Sequence, residues 1–361
     1  MNQPVKTALI GFGVAGKFMH APFLAIQQEN YEVVAVLERN KEDSKQLFPS
    51  AKIVRTIDDL LLLKEIELVI ITTPNDSHFP YAKSSLLAGK HVVADKPFTI
   101  TSSDALELIQ LSKQVNKIIS VYQNRRYVSD FITIKEILNK KLLGDVHEFE
   151  AHYDRYRPEA RSNAWREENK PGSGILYDLG SHLIDQAFCL FSLPKTITAD
   201  IRLQRPHAKT DDNFELKLDY GFTKVILKAG MLVREPGPRY MIHGTKGSFI
   251  KYGEDPQEVF LRAGKFPTEV ENWGSENEEI FGLLHTETDG KIIREKYPSL
   301  KGDYGFYYQN LYKTIRANAS LRERPEHGYN TIRLIELAAE SNYKKIAVAC
   351  NDLMNTPYPG N

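Results

Sequence analysis

The sequence has little cysteine, no long hydrophobic run and no excess of charge of one sign. Its only cysteines are Cys189 and Cys350, which excludes a disulfide framework and favours a reducing compartment. Apolar runs such as 60–63 and 68–71 are far shorter than the ~20 residues that span a bilayer. Because the amino end also lacks the hydrophobic segment of a signal peptide, we expect a cytoplasmic protein with no membrane partner.

The charges of the chain balance, because Lys and Arg together number 47 and Asp and Glu also number 47. A chain without net charge has no overall field that attracts nucleic acid, and we expect no nucleic-acid partner. Apolar residues make up 42% of the 361 residues, which is enough for well-filled cores in two domains. Local patches must therefore carry any binding.

The first glycine-rich stretch is a candidate dinucleotide-binding loop. A short apolar run over 5–10 leads into Gly-x-Gly-x-x-Gly, and a helix can continue over 17–27. Such glycines allow a tight turn, close approach of a pyrophosphate and close packing of the helix. A second predicted strand, 31–37, ends at Glu38, where a carboxylate would bind the ribose hydroxyls of NAD. The loop residues expected against the cofactor are Gly11, Phe12, Gly13, Val14, Ala15 and Gly16.

Arg39 follows Glu38 and leaves the choice between NAD and NADP open. A carboxylate repels the 2′-phosphate of NADP, whereas a guanidinium, helped by Lys41, can pair with that phosphate. If Arg39 binds the phosphate, its replacement by alanine weakens NADP more than NAD. An exposed charge at a strand end is the alternative interpretation of Arg39.

Predicted strands and helices alternate through residues 1–123, which indicates a doubly wound parallel sheet of the Rossmann type. Loops at the carboxyl ends of such strands line the ligand crevice. One of these loops holds Lys96 between a buried strand and a proline, which favours a functional role over a solvated charge. His78 is equally suited to capping the helix that starts beside it. The further residues expected to contact the cofactor are Thr73, Pro74, Asn75, His78, Asp95, Lys96 and Gln123.

Longer strands in succession replace this alternation after residue 123. Apolar and polar residues alternate in five segments, as in an antiparallel sheet with one covered face. The segments are 146–154, 196–204, 213–220, 223–231 and 239–244. We therefore predict a second domain over 124–361, an α+β domain with a large, mostly antiparallel open sheet. Helices are predicted at 303–317 and 331–350, the last packing back on the body, and 254–298 contains only short strands in an irregular segment.

Arginines interleaved with aromatic residues follow the crossover into the second domain. With zero net charge and a short patch, this pattern fits a pocket wall for a hydroxylated or anionic small molecule better than a nucleic-acid surface. Arg161 and Arg166 belong to the same patch. The residues predicted to contact substrate from this region are Asn124, Arg125, Tyr153, Tyr156, Arg157 and Trp165.

Asp178 and His182 are the candidate acid/base pair. A glycine-rich loop over 172–174 leads into a helix whose apolar stripe recurs at helical spacing. Residues four apart on a helix are neighbours, so the carboxylate can orient the imidazole. A solvated surface ion pair is the plain alternative. A metal site with Asp185 is the other, but spacing fixes no third ligand and we expect no metal.

Four motifs together resemble the Gfo/Idh/MocA oxidoreductases, and within them a branch of bacterial scyllo-inositol 2-dehydrogenases. The resemblance implies a Rossmann domain followed by an α/β domain whose open sheet makes a homodimer or homotetramer. The usual Glu-Lys-Pro of that family is Asp-Lys-Pro here. The motifs are Gly11-x-Gly13-x-x-Gly16, Asp95-Lys96-Pro97, Asn124-Arg125-Arg126 and Asp178-x-x-x-His182.

The resemblance also implies an activity. An NAD(P)-dependent dehydrogenase of this family would act on a secondary hydroxyl of a cyclic polyol or sugar, scyllo-inositol being one candidate. His182 would take the hydroxyl proton, Lys96 would stabilise the developing oxyanion, and Asp178 would hold the substrate or the imidazole. Two alternatives stay open: a glycosidase that keeps NAD bound, and a non-catalytic sensor that binds the dinucleotide and a partner protein.

Overall fold

The computed structural model describes residues 3–160 and 165–358 of the chain. Arg161, which the sequence analysis placed in the substrate wall, lies outside the described residues. The chain forms two compact units, and the boundary of the first differs from the predicted limit at residue 123. The first unit comprises Met1–Tyr127, Pro256–Trp273 and Asp303–Tyr329, and the second comprises Val128–Asp255, Gly274–Gly302 and Asn330–Asn361.

A parallel sheet forms the centre of the first unit. Its described strands lie in the order β3-β2-β1-β4-β5-β6, and every neighbouring pair is parallel. Strands such as Leu68–Ile71 are buried along their whole length, as expected for a sheet covered on both faces. The strands are β1 Val5–Ile10, β2 Tyr31–Leu37, β3 Lys52–Val54, β4 Leu68–Ile71, β5 His91–Asp95 and β6 Ile119–Tyr122.

The helices of the first unit begin at side-chain caps where the sequence offers them. Thr56 and Thr101 each accept a hydrogen bond of 3.1 Å from the amide three residues later. The continuous helix predicted over 17–27 is wrong in detail, because a π-helical turn, Ala15–His20, precedes a short α-helix. The α-helices are α1 Ala21–Ile26, α2 Ile57–Leu61, α3 His78–Leu87, α4 Ser102–Gln114, α7 Gln257–Arg262 and α8 Gly305–Ala317.

Two late segments belong to the first unit because buried polar groups tie them to the end of β6. The backbone carbonyl of Tyr127 accepts hydrogen bonds from the Asp303 amide at 3.0 Å and from the Gln257 side chain at 3.1 Å. The Tyr307 hydroxyl donates to Ser120 Oγ at 3.0 Å. Such pairings join residues far apart in the chain, so no local sequence pattern predicts them.

A nine-stranded sheet dominates the second unit, in the order β14-β13-β12-β11-β7-β10-β9-β8-β15 among the described residues. Neighbours are antiparallel except β7 and β10, which are parallel. Burial alternates along the strands, as β9 shows with every second residue buried. The strands are β7 Val146–His152, β8 Thr196–Arg202, β9 Asn213–Asp219, β10 Lys224–Gly230, β11 Tyr240–Gly244, β12 Gly247–Lys251, β13 Gly282–Thr288, β14 Lys291–Tyr297 and β15 Val348–Ala349.

The segment 254–298 is more ordered than the sequence predicted. It contains α7 and a long hairpin in which β13 and β14 pair from Gly282 with Tyr297 to Thr288 with Lys291. The hairpin escaped prediction because β14 is largely exposed, so its residues do not alternate between apolar and polar types. The neighbouring strand β12 was also missed.

Two helices belong to the second unit, α5 Ser129–Asn139 and α6 Ser181–Phe191. A third, α9 Pro325–Lys344, begins in the first unit and continues into the second. The last was predicted from residue 331 but begins at Pro325, a residue suited to a first helical turn. Ser341 Oγ and Asn342 Oδ1 accept the amides of Ala199 and Ile201 on β8, at 3.0 and 3.1 Å. None of the helices described is both long and apolar enough to cross a membrane.

Candidate functional site

The glycine loop after β1 has the shape that a pyrophosphate requires. Gly11 has a φ of +93°, which favours glycine. A Cβ on Gly16 would lie 2.7 Å from the Gly11 carbonyl oxygen and 2.8 Å from Thr72 Oγ1, whereas a Cβ on Gly13 would meet no atom within 4 Å. Val14 exposes 55% of its surface beside this space. The residues therefore fit a dinucleotide, with the backbone at Gly13 open to the phosphates.

His78 shapes two of the loops that follow the central strands. Its ring is 1% exposed, with Nδ1 2.8 Å from the Pro97 carbonyl oxygen and Nε2 2.9 Å from that of Thr73. These contacts connect the loop after β4 with the loop after β5. His78 thus has a structural role, and its ring nitrogens are occupied by the protein rather than presented to the predicted cofactor.

Asp95 supports the backbone of Lys96 at the end of β5. Its Oδ1 accepts the Lys96 amide at 2.7 Å, and Oδ2 lies 3.7 Å from His20 Nε2. Burial favours a raised pKa, but the adjacent His20 imidazole and the Lys96 charge outweigh it and lower the pKa of Asp95. The carboxylate is therefore ionised at neutral pH. The peptide bond between Lys96 and Pro97 is cis.

Sequence reasoning missed His20 and Tyr308, which complete this buried cluster. His20 is fully buried, its Nδ1 is 2.6 Å from the Tyr308 hydroxyl, and its ring centroid is 4.2 Å from that of Tyr122. His20 lies inside a predicted helix with no distinguishing neighbour, and Tyr308 is 288 positions away. No spacing in the sequence indicates the pair.

Glu38 was expected to bind ribose, but its carboxylate faces the protein. It accepts the backbone amides of Asp43 and Ser44, each at 3.0 Å, and the Ser44 hydroxyl. Only 6% of Glu38 is exposed. Arg39, the next residue, is exposed. Ribose binding by Glu38 therefore stays a prediction, and in this structure its carboxylate accepts hydrogen bonds from its own loop.

Gln123, at the end of β6, offers a buried acceptor. The residue is 2% exposed, and its Oε1 has no hydrogen-bond partner among residues 3–160 and 165–358. A buried acceptor without a partner costs free energy, so a donor on a bound ligand would stabilise it. Asn124, which follows, is 8% exposed.

Arg125 was predicted to contact substrate, but its contacts give it a structural role. Its guanidinium forms an ion pair with Glu258 and donates to the Tyr304 hydroxyl at 2.7 Å. Burial favours a raised pKa for Glu258, yet Arg125 and Arg262 lower that pKa to about 2. The pair holds α7 against the segment after β6, and the predicted substrate contact has no support in these interactions.

His182 lies at the start of α6 in the second unit, directly after a π-helical turn, Leu176–Gly180. Asp211 caps this turn by accepting the Leu176 amide at 2.7 Å, and burial raises the pKa of Asp211 to about 6. The turn interrupts the regular α-helical spacing on which the predicted pairing of Asp178 with His182 was based. Asp178 Oδ1 lies 3.2 Å from Nε of Arg166, an ion pair that the sequence did not indicate.

Tyr153 connects His182 with a buried guanidinium. The ring centroids of Tyr153 and His182 are 6.2 Å apart, and Arg239 Cζ lies 3.4 Å from the Tyr153 centroid. Arg239 also donates to the His152 carbonyl. Near Arg239, burial raises the pKa of Asp130 to about 7. Arg239 belongs to a Gly-Pro-Arg-Tyr segment, but no spacing linked it to the predicted site.

The remaining predicted substrate residues fall into two groups. Tyr156 pairs with Leu232, and its hydroxyl accepts a 2.5 Å hydrogen bond from Arg234. The Arg157 amide donates to the Met231 carbonyl at 2.7 Å. Trp165 instead stacks under Arg166, whose Cζ is 4.5 Å from the ring centroid. Trp165 is therefore connected through Arg166 to Asp178.

Metal-ligating residues are not grouped in the described part of the chain. Among residues 3–160 and 165–358, no set of three or more His, Cys, Asp or Glu could hold a metal ion. Asp185, considered as a ligand, is 2% exposed. Cys189 and Cys350 are both buried free thiols.

Two family models match the chain over successive ranges of residues. The model described as "Oxidoreductase family, NAD-binding Rossmann fold" matches residues 5–123. The model described as "Oxidoreductase family, C-terminal alpha/beta domain" matches residues 135–349. The chain belongs to the Gfo/Idh/MocA family. It is therefore an NAD(P)-dependent oxidoreductase, as its motifs predicted, and the predicted fold class is confirmed.

Individual members of the Gfo/Idh/MocA family are similar along nearly the whole chain. Scyllo-inositol 2-dehydrogenase (NADP(+)) IolW of Bacillus subtilis strain 168 is 41% identical over 341 residues, covering 94% of each chain. The uncharacterized oxidoreductase YdgJ of Escherichia coli strain K12 is 40% identical, covering 94% of this chain and 97% of YdgJ. The crystal structure of Bacillus subtilis YvaA has a TM-score of 0.93 at 39% identity, covering 97% of this chain and 99% of YvaA.

Proposed function

We propose that this Gfo/Idh/MocA oxidoreductase interconverts a secondary hydroxyl and a ketone on a cyclic polyol or sugar, with scyllo-inositol as the first substrate to test. The observation that carries the proposal is His182, a largely buried imidazole beside Tyr153. The 41% identical relative named for scyllo-inositol supports the substrate class.

The proposed chemistry assigns one role to each polar group. When bound, the nicotinamide ring accepts a hydride from the substrate carbon or returns it. His182 takes the hydroxyl proton, because an imidazole, with a reference pKa near ~6.5, suits proton transfer at neutral pH. Lys96 donates to the substrate oxygen and stabilises its developing negative charge. Asp178, held by Arg166, binds the substrate hydroxyls, and Gln123 donates or accepts at the cofactor.

We also propose that the enzyme is a cytoplasmic homodimer or homotetramer that assembles through the nine-stranded sheet. One face of that sheet has paired charges: Lys224 with Glu148 at 2.6 Å, and Lys228 with both Glu150 and Glu215 at 3.2 Å. A paired, nearly neutral face can be covered by a second copy at a smaller desolvation cost than unpaired charges. Light scattering of the purified chain measures the mass, and a monomer would refute this assembly.

The test is a screen of inositols, hexoses and sugar acids with NAD and with NADP, in which the absorbance of the reduced nicotinamide measures turnover. His182→Ala should slow turnover by about 10²–10⁴-fold with cofactor affinity nearly unchanged, because a general base contributes that much. His147→Ala is the matched control, since His147 is an exposed histidine of the same unit. Unchanged turnover in His182→Ala would refute its role.

The same screen separates the two alternative functions. A glycosidase of this fold would cleave glycosides without net production of reduced cofactor. A dinucleotide sensor would bind cofactor tightly and turn over none of the polyols or sugars. Net NAD(P)H formation from a free polyol supports the dehydrogenase over both.

A further inference from the structure

A buried guanidinium lies behind the tyrosine that packs near His182. Arg239, the residue before β11, and Tyr153, the residue after β7, are both buried. Arg239 Cζ lies 3.4 Å from the Tyr153 ring centroid and 4.7 Å from that of Tyr240, and the guanidinium donates to the His152 carbonyl. A guanidinium stacks most favourably on aromatic rings where water is excluded. Arg239 is therefore a positive charge held in one place.

Both aromatic rings connect Arg239 with helix α6, which carries His182. The ring centroids of Tyr153 and His182 are 6.2 Å apart, and the Tyr240 hydroxyl donates to Gln186 Oε1 at 3.0 Å. Gln186 lies one turn after His182, so the two tyrosines contact the same face of α6. A change at the guanidinium would therefore reach the ring that packs near the imidazole.

The Arg239 charge is close enough to act on the protonation of His182. Because the Tyr153 ring contacts both groups, a protonated imidazole would lie within about 10 Å of the guanidinium, where two positive charges repel each other appreciably in a buried site. His182 is itself buried. The repulsion disfavours the imidazolium and leaves the neutral imidazole unaffected. Arg239 thus favours the form of His182 that accepts a proton.

The carboxylates near Arg239 leave this effect in place at acidic pH. Burial raises the pKa of Asp130, on α5, to about 7, although the Arg239 charge opposes the rise. The Asp130 carboxyl is therefore mostly neutral below that pH and does not offset the guanidinium. Glu254 also interacts with Arg239, but it is exposed, so solvent weakens its effect on His182.

The charged groups on the other side of Asp130 are engaged with one another or with the backbone. Lys251 Nζ and Glu276 Oε2 form a buried ion pair at 3.1 Å. Asp255 Oδ2 accepts the Ser129 amide at 2.7 Å. These groups act on Asp130, and the Lys251–Glu276 pair has no net charge that would offset Arg239.

His182 also has charged neighbours on its own segment. Asp178, one turn earlier, forms an ion pair with Arg166, and Asp185 follows on α6. The strands beneath α6 contribute the apolar ring of Phe149, whose centroid is 5.3 Å from that of Phe191. Tyr153 and Tyr240 face the helix from these strands, with the Arg239 charge behind them.

We propose that Arg239 is a positioning residue for the proposed proton acceptor: it holds the Tyr153 ring near His182, and its fixed charge keeps the imidazole neutral. The inference rests on the proposed function, in which His182 accepts the proton of a substrate hydroxyl. It extends that function to a residue that does not touch the substrate. The acceptor then stays available at slightly acidic pH.

The first experiment titrates His182 in the protein without substrate, by NMR of labelled histidine rings. His182→Ala assigns the signal, because its own signal is the one lost. In Arg239→Gln the midpoint of the His182 titration should rise by about one pH unit, as expected for a charge about 10 Å away at an effective dielectric constant of about 20. Arg239→Met serves if Arg239→Gln does not fold. An unchanged midpoint in the folded neutral variant would overturn the proposal.

Two further variants separate the charge from a change of structure. Arg239→Lys keeps the charge and loses the planar stacking, so the His182 midpoint should stay within about 0.3 pH units of the unmodified protein while kcat falls. Arg234→Gln is the matched control, because Arg234 also stacks on a tyrosine, with Cζ 3.9 Å from the Tyr156 centroid, but is exposed. A rise of about one pH unit in either variant would show that the buried charge is not the cause.

The second experiment measures the pH dependence of kcat/KM with a substrate found in the screen. In Arg239→Gln the acid limb should move upward by the same interval as the NMR midpoint, which is about a 10-fold loss of kcat/KM well below both midpoints. If no polyol or sugar turns over, the proposed function fails while the NMR titration still tests Arg239. If turnover is found but neither the acid limb nor the NMR midpoint moves, the role of Arg239 fails and the proposed function stands.

Discussion

The two units differ in how the chain presents its functional groups. In the first unit, the backbone around Gly13 is open to a ligand, while the side chains of Glu38, His78 and Arg125, which were predicted to contact cofactor or substrate, are engaged with the protein. In the second, the candidate groups are the side chains of His182 and its neighbours. Backbone amides of the glycine loop bind a dinucleotide, so the side chains near that loop can serve to hold its conformation. Proton transfer, by contrast, requires a titratable side chain.

The largest expected effect tests whether Lys96 and His182 act on the same substrate atom. Lys96→Met and His182→Ala should each lower kcat/KM by about 10²–10⁴-fold. If both act in one transition state, the double variant should lose far less than the product of the single losses, because residues that act as a unit are not additive. Steady-state kinetics of the four proteins measure this coupling. If the loss in the double variant equals the product of the two single losses, Lys96 and His182 do not act in one transition state.

The next largest effect concerns the structural role of Arg125. Replacing it with methionine leaves Glu258 without its main partner, and the free energy of unfolding should fall by about 3 kcal/mol at neutral pH. Arg262→Met, which removes the more exposed partner of Glu258, should have a smaller effect. Urea unfolding measures both, and equal stability of Arg125→Met and the unmodified protein would contradict the structural role.

The pH dependence of that difference has a definite sign. The pKa of Glu258 is lowered from 4.5 to about 2 in the folded protein. Its contribution is therefore present above pH 4.5 and disappears as the pH falls toward 2. The stability gap between the unmodified protein and Arg125→Met should close over that interval, and a gap that stays constant would argue against the ion pair.

Two glycines of the same loop should respond differently. Gly16→Ala forces a Cβ against the Gly11 carbonyl and Thr72, and should cost about 1–3 kcal/mol of stability as well as cofactor affinity. Gly13→Ala places its methyl in open space, so it should keep stability and lose affinity. Thermal unfolding and NADPH titration distinguish the two. Equal stability losses would show that the loop is not shaped as described.

Sequence patterns predicted most of the first unit because its signals are local. The glycine spacing and the strand ends both depend on residues within a few positions of one another. The direction of Glu38 could not be predicted, since it depends on a turn formed by Asp43 and Ser44 that has no apolar pattern. The same holds for His20 with Tyr308, which meet only after folding.

The second unit was predicted less completely for a related reason. The outer strand of the β13–β14 hairpin is largely exposed, so its residues show no apolar alternation that would indicate a strand. The Arg166–Asp178 and Arg239–Tyr153 contacts join separate segments, and charged residues in loops give no sign of their partners. Asp178 and His182 were predicted as a pair because they are close in sequence, but the sequence did not indicate the π-helical turn that contains Asp178.

The smallest expected effect is at His152, whose ring nitrogens lie 2.9 Å from Asp154 and 2.8 Å from Glu150. Burial favours a lower pKa, but the two carboxylates outweigh it and raise the pKa of His152. Its stabilisation is therefore present below the ordinary histidine range and is lost as the pH rises through the folded pKa. His152→Gln should lose stability at acidic pH by less than about 1 kcal/mol and match the unmodified protein at alkaline pH. His147→Gln is the control, and a loss independent of pH would contradict the assignment.

The π-helical turn before His182 also affects how homologous chains must be compared. Such a turn closes with one residue more than an α-helical turn, which is the mark of a single-residue insertion. In a relative without that residue the helix would follow its regular pitch, and each later position would rotate by about 100°. An alignment that omits a gap there would match His182 with the wrong residue of the relative and assign the proposed role of proton acceptor to a side chain on another side of the helix.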